Sequence, residues 1–165
     1  MIILKIYIIG PPASGKTTLS KILSKRYNIE SYELDCIVWD DNNNHLMRDD
    51  ETIKKMFNDI LSKDSFIIED VGRSVFRKGL EECNKIYYIS ISKLEAYKRV
   101  IKRLIRQKLG KEKYNYPPTF RAFIDMIKVV NSYYKKEKQK LDYLNKFKEK
   151  VIYLDKYKLN ELENR

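Results

Sequence analysis

The 165 residues read as one α/β domain built on a doubly wound, mainly parallel five-stranded sheet. Three observations predict this class. Short apolar runs alternate with segments of helical period along the whole chain. The first run and the first helical segment are joined by Gly10-Pro11-Pro12-Ala13-Ser14-Gly15-Lys16-Thr17, a glycine-framed turn of the GxxxxGK[ST] pattern. The second and third runs each end on a carboxylate, Asp35 and Glu69, at the strand end where ligands collect in such sheets.

Each element has its own signal. Residues 2–9 are isoleucine-rich, with Lys5 and Tyr7 the only polar interruptions, and predict a strand buried on both faces. Leu19, Ile22 and Leu23 recur at helical spacing over 16–27, so Gly15 falls at a helix start. Further strands are expected at 31–34, 65–69, 85–90 and 151–154, with helices near 50–61, 74–82, 93–109 and 119–148 and a short one near 159–163. Pro117-Pro118 marks a loop after Gly110, and Asp40-Asp41-Asn42-Asn43-Asn44 reads as a polar loop. Phe120, Phe123, Ile124, Ile127, Val130 and Tyr134 form a packing stripe on the penultimate long helix. The run from Lys135 to Lys140 after it reads as solvated surface.

Composition narrows the class. No apolar stretch approaches the roughly 18 residues that a membrane helix needs. Cys36 and Cys83 lie far apart in no paired motif, which suits a reduced, cytoplasmic setting and argues against a disulfide or a cysteine metal site. The net charge of +11 is concentrated: residues 93–150 hold 18 Lys and Arg against 6 Asp and Glu, while the remainder holds 16 against 17. Such a segment can close over a triphosphate, attract nucleic acid, or solvate long helices, and charge alone does not choose. His45, the only histidine, reads as an exposed loop residue.

The chemistry centres on residues 10–17. Amides of Gly10, Ala13, Ser14 and Gly15, with Thr18 at the helix start, are placed to cradle polyphosphate at the positive end of a helix dipole. Lys16 is expected to reach the β- and γ-phosphates of ATP, and Thr17 to ligate Mg²⁺. Glu69, closing the apolar run 66–69, has the Walker-B position for the metal shell; Asp70 beside it points the other way, so only one of the two serves the metal. Asp35 is a base or metal-shell candidate, and Arg73 has the planar fork suited to an anionic acceptor. Arg99, Arg103 and Arg106 share one helical face, from which they can neutralise a transferring phosphoryl group or merely face solvent.

These motifs resemble the adenylate-kinase-like branch of the P-loop kinases over most of the chain. Residues 66–73, Phe-Ile-Ile-Glu-Asp-Val-Gly-Arg, are similar to its hydrophobic-D-G-F-P-R segment, with Glu69 for Asp, Asp70 for Gly and Gly72 for Pro; the arginine that the resemblance assigns to the acceptor is Arg73. Ile89-Ser90-Ile91-Ser92, Glu95 and the pair Arg99 and Arg103 resemble the strand, helix and R-x-x-x-R lid entrance, which implies a short helical lid over about 99–118. Residues 34–39 and 151–158 are most similar to the small topology modulation proteins. Shikimate and gluconate kinases are more distant relatives, since a shikimate-kinase D-x-D needs an acid where Ile37 stands. The function implied is ATP- and Mg²⁺-dependent phosphoryl transfer to a small hydroxyl- or phosphate-bearing acceptor, with Lys16, Asp35, Arg99 and Arg103 catalytic. A nucleotide-dependent nucleic-acid-binding regulator and a polynucleotide 5′-hydroxyl kinase are the alternatives.

Overall fold

The computed structural model describes residues 3–40, 46–112 and 119–155. It places β1 (Lys5–Ile9) at the centre of a parallel sheet, between β5 (Phe66–Asp70) and β6 (Lys85–Ile89), with β2 (Ser31–Glu33) and β7 (Val151–Leu154) at the edges. The order β2-β5-β1-β6-β7 and the wholly parallel pairing are those of the expected doubly wound sheet. Register sets Ile8 beside Glu69 and Ile9 beside Asp70, so the two acids lie level with the last residues of the central strand.

Strand alternation divides the core into two layers. Tyr7, Ile9, Phe66, Ile68, Ile86 and Tyr88 point to one face of the sheet, where α2 (Asp35–Val38), α3 (Asp50–Leu61), α4 (Arg77–Glu82) and α7 (Glu137–Leu144) pack. Ile6, Ile8, Ile67, Tyr87 and Ile89 point to the other, against Leu19 and Leu23 of α1 (Lys16–Tyr27). A third cluster joins α5 (Lys93–Lys108) to α6 (Phe120–Lys135) through Ala96, Val100 and Val130, and Ala13 of the glycine-framed loop packs against it. Side-chain caps start α3, α5 and α6: Asp49 accepts from Thr52 N, Ser92 from Glu95 N and Thr119 from Ala122 N.

Several elements depart from the sequence reading. The first strand begins at Lys5, and residues 74–76 form a 3₁₀ turn ahead of α4. The single helix expected over 119–148 is broken at Lys136, which re-aims the second half so that Leu141 and Leu144 reach the core. Local pattern does not show that break, because no Gly or Pro stands near Lys136 and the residues on both sides keep helical spacing. A short hairpin of β3 (Trp39–Asp40) and β4 (Leu46–Met47) follows α2, and neither was expected. Two-residue strands carry no periodic signal. Residues 41–44 of the polar loop, His45, Pro117-Pro118, the last part of the 99–118 lid region and the helix near 159–163 lie outside the described residues. Among the described residues no helix is long and apolar enough to cross a membrane.

Candidate functional site

The loop between β1 and α1 is held tight by its own backbone. Ala13 and Gly15 take positive φ, 58° and 103°, and Gly15 caps α1. Gly10 admits no side chain, since a Cβ there would sit 2.7 Å from the carbonyl oxygen of Ile89. Ser14 is fully buried, and its hydroxyl has no hydrogen-bond partner among the described residues. The first turn of α1 carries no acidic residue and receives no side-chain cap, so its N–H groups keep the positive potential that suits an anion. Lys16 is buried and donates from Nζ to the Pro11 carbonyl at 2.9 Å, which arches its ammonium across the loop. Burial holds its pKa below the usual lysine value, with Glu69, Asp35 and Asp70 acting in the opposite direction. Thr18 is exposed on the outer side of the turn.

Strand parity separates the two acids of β5. Glu69 shares its face with Ile67 and meets α1: Thr17 Oγ1 donates to Glu69 Oε1 at 2.5 Å. Glu69 Oε2 is buried with no hydrogen-bond partner among the described residues, and burial raises the carboxyl pKa against the opposing pull of Lys16 and Thr17. Thr17 and Glu69 thus offer hard oxygen donors of the kind that fit Mg²⁺, an ion that takes much of its shell from water and phosphate. Among the described residues no cluster of three or more His, Cys, Asp or Glu is placed to hold a metal ion.

Asp70 points to the opposite face and is consumed by the backbone and Arg73. Its Oδ2 accepts from Gly72 N at 2.7 Å and Arg73 N at 2.6 Å, and its Oδ1 pairs with the Arg73 guanidinium. The other arm of that fork pairs with Asp35, which opens α2 just beyond the end of β2 and is largely exposed. Asp35, Arg73 and Asp70 therefore form a chain from solvent to core. Lys140, expected among surface lysines, instead turns inward from α7. It donates to the carbonyls of Val71 at 2.5 Å and Gly72 at 3.0 Å, immediately before Arg73. Its neighbours in sequence gave no signal of this, because a lysine in a lysine run looks solvated whichever way it points.

The three arginines of α5 separate. Arg99 reaches the loop, donating to Ser14 O at 3.2 Å and Ala13 O at 3.5 Å, and is steadied by Glu95 at 2.8 Å. Arg103 and Arg106 remain about half exposed and share Glu112, at 3.1 and 3.4 Å. Spacings of four and three align them on a helix face, but the rise of about 1.5 Å per residue carries Arg103 and Arg106 roughly 6 and 10 Å further along α5, and only Arg99 reaches the loop. Trp39 is half-buried against the core beside the Asp35 segment, where Arg48 also binds the Trp39 and Cys36 carbonyls at 2.7 and 2.8 Å. Arg48 has no motif around it, and its clasp is visible only in the fold.

A glycine-framed loop from the central strand, a helix N-terminus free of acid, and an opposed hydroxyl and carboxylate describe a nucleotide site. Residues 6–115 match a family described as AAA domain. The chain belongs to that family. Membership implies nucleotide binding. A solved structure titled as a gluconokinase from Sinorhizobium meliloti 1021 has the same fold, with a TM-score of 0.52 over 93% of this chain and 82% of that chain at 13% sequence identity. That likeness shows a shared fold. No curated protein matches the chain.

Proposed function

We propose that the protein is an ATP- and Mg²⁺-dependent phosphotransferase that moves the γ-phosphoryl group to a small hydroxyl- or phosphate-bearing acceptor. The observation that carries this reading is the pairing of two half-sites at one end of the sheet. On the α1 side stand the loop, Lys16, Thr17 and Glu69; on the opposite side stand Asp35 and Arg73. A nucleotide switch needs the first half alone, whereas transfer needs an acceptor-side acid and cation as well.

Loop amides and Lys16 would hold the β- and γ-phosphates, and Thr17 with Glu69 would hold the metal's hydrated shell. Bound Mg²⁺ supplies charge neutralisation on the phosphate oxygens. Arg73 would grip an anionic group of the acceptor, exchanging Asp35 for it. Released from that pair, Asp35 can take the proton as the acceptor oxygen bonds to phosphorus and the bond from phosphorus to the β,γ-bridging oxygen breaks, leaving ADP. Arg99 is the α5 cation that reaches the loop, and Arg103, paired with Glu112, would join it only on a shift of α5 toward the nucleotide.

The test is transfer of labelled γ-phosphate from Mg²⁺-ATP to a panel of small alcohols, sugars and monophosphates. Product that requires both Mg²⁺ and Lys16 supports the reading. The charge excess over residues 93–150 favours two other readings, a nucleotide-dependent nucleic-acid binder and a polynucleotide 5′-hydroxyl kinase. ATP binding without transfer to any small acceptor, together with salt-dependent affinity for DNA or RNA, would select these, and labelled phosphate on a 5′-hydroxyl end would single out the kinase.

A further inference from the structure

The β5–α4 connection carries Arg73, and it is gripped from both sides. Asp70 takes its N–H groups, at Gly72 and Arg73. Lys140 takes its carbonyls, at Val71 and Gly72. The second grip is specific: Gly72 has φ +82°, and a Cβ there would stand 3.2 Å from Lys140 Nζ and 2.7 Å from Ile9 Cδ1. The ammonium also lies 4.6 Å from the ring centre of Tyr133, at the far end of α6. Arg73, Arg77, Lys140 and Tyr143 line one small cavity of about 20 Å³ beside this loop.

We propose that Lys140 is a positioning residue for Arg73: by clamping the Val71 and Gly72 carbonyls it fixes the loop that aims the guanidinium at Asp35, and so ties the acceptor side of the site to the docking of α7. The assignment of Arg73 to the acceptor belongs to the proposed function, and the clamp is the new element. It also gives a physical route from the nucleotide side. Ala13 of the phosphate loop packs on the α5–α6 cluster, α6 runs into α7 at Lys136, and α7 ends the chain of contacts at Gly72.

A clamp made of a buried amine has a signature that a purely apolar strut lacks. Burial lowers the Lys140 pKa to about 8, with Asp70 pulling it up and Arg73, Lys136 and Lys16 pushing it down. Of the other groups against it, Tyr133 is raised far above the ordinary tyrosine value and Tyr143 is raised as well, so neither titrates near pH 8. Lys16 is also lowered and could act on the same loop from α1.

The experiment follows the Gly72 amide and the Arg73 Nε–H in ¹H–¹⁵N spectra from about pH 6.5 to about 9.5 in the wild type, Lys140→Met and Lys140→Arg. Both signals should shift in the wild type with a midpoint near 8. In Lys140→Met they should sit at the wild-type high-pH positions with no transition, and in Lys140→Arg, always charged, at the low-pH positions. Absence of a wild-type transition overturns the clamp even if Lys140→Met fails to fold. The same transition persisting in either variant overturns it too. These readouts need no nucleotide, so they stand apart from the proposed function, which fails instead if Lys16→Ala binds Mg²⁺-ATP as the wild type does.

Discussion

Thr17 Oγ1 lies 2.5 Å from Glu69 Oε1, joining the first turn of α1 to the end of β5 across 52 positions of sequence. One hydrogen bond is the whole contact between the two oxygen donors nearest the phosphate loop. It leaves the second Glu69 oxygen buried with no partner among the described residues, a costly arrangement unless a cation completes it.

Replacing Glu69 by Gln should therefore separate stability from ligand response. Burial raises the Glu69 pKa, so the folded chain binds that proton more tightly than the unfolded chain and loses stability as pH rises through the raised value. Glu69→Gln should melt higher than the wild type above that pH and gain nothing where the wild-type carboxyl is already protonated. The part of ATP stabilisation that needs Mg²⁺ should vanish in the same variant. Thermal unfolding across pH, with and without Mg²⁺-ATP, checks both halves.

Lys16→Ala should keep the fold and lose the triphosphate. In the ligand-free protein Lys16 makes one hydrogen bond, to the Pro11 carbonyl, and contributes no apolar surface to the three core clusters. A charge-assisted bond of the usual strength makes the affinity loss about 100-fold. Circular dichroism and titration calorimetry decide it.

The arginines should fall into three classes. Arg99→Ala should cost about 1–2 kcal/mol of stability, because its half-buried guanidinium holds two loop carbonyls, whereas Arg103→Ala should change stability by less than about 0.5 kcal/mol, its partner Glu112 being a surface pair. In turnover, Lys at 99 or 103 should lower kcat more than it weakens ATP binding, and Arg73→Lys should raise KM for the acceptor. Equal, small kinetic effects at all three positions would mark them as solvated surface. Urea denaturation and steady-state kinetics supply the two readouts.

Trp39 should report the acceptor. It is the only tryptophan and is half-buried one helical turn beyond Asp35, held through its carbonyl by Arg48. Its emission should respond strongly to the true acceptor or a bisubstrate analogue and weakly to ATP alone, which makes fluorescence a label-free screen. Unchanged emission with every ligand that binds would make the α2–β3 segment fixed scaffold.

The sequence by itself determined the sheet and the glycine-framed turn that joins its central strand to α1. Strand runs such as residues 65–69 and 85–90 are apolar on both faces, and buried parallel strands have no other way to read. The loop at 10–17 was equally legible, because its shape lies in consecutive backbone groups, with positive φ at Ala13 and Gly15, and needs no distant partner. Tertiary structure decided everything that depends on direction. Whether Glu69 or Asp70 faces Thr17 follows from which face of β5 meets α1, a matter of parity against a helix elsewhere in the chain. That Arg99 reaches the loop while Arg103 stops at Glu112 follows from the path of α5, and that Lys140 turns inward follows from the break at Lys136. A side chain's identity is written in the sequence; the partner it finds is set by packing between elements that local pattern does not relate.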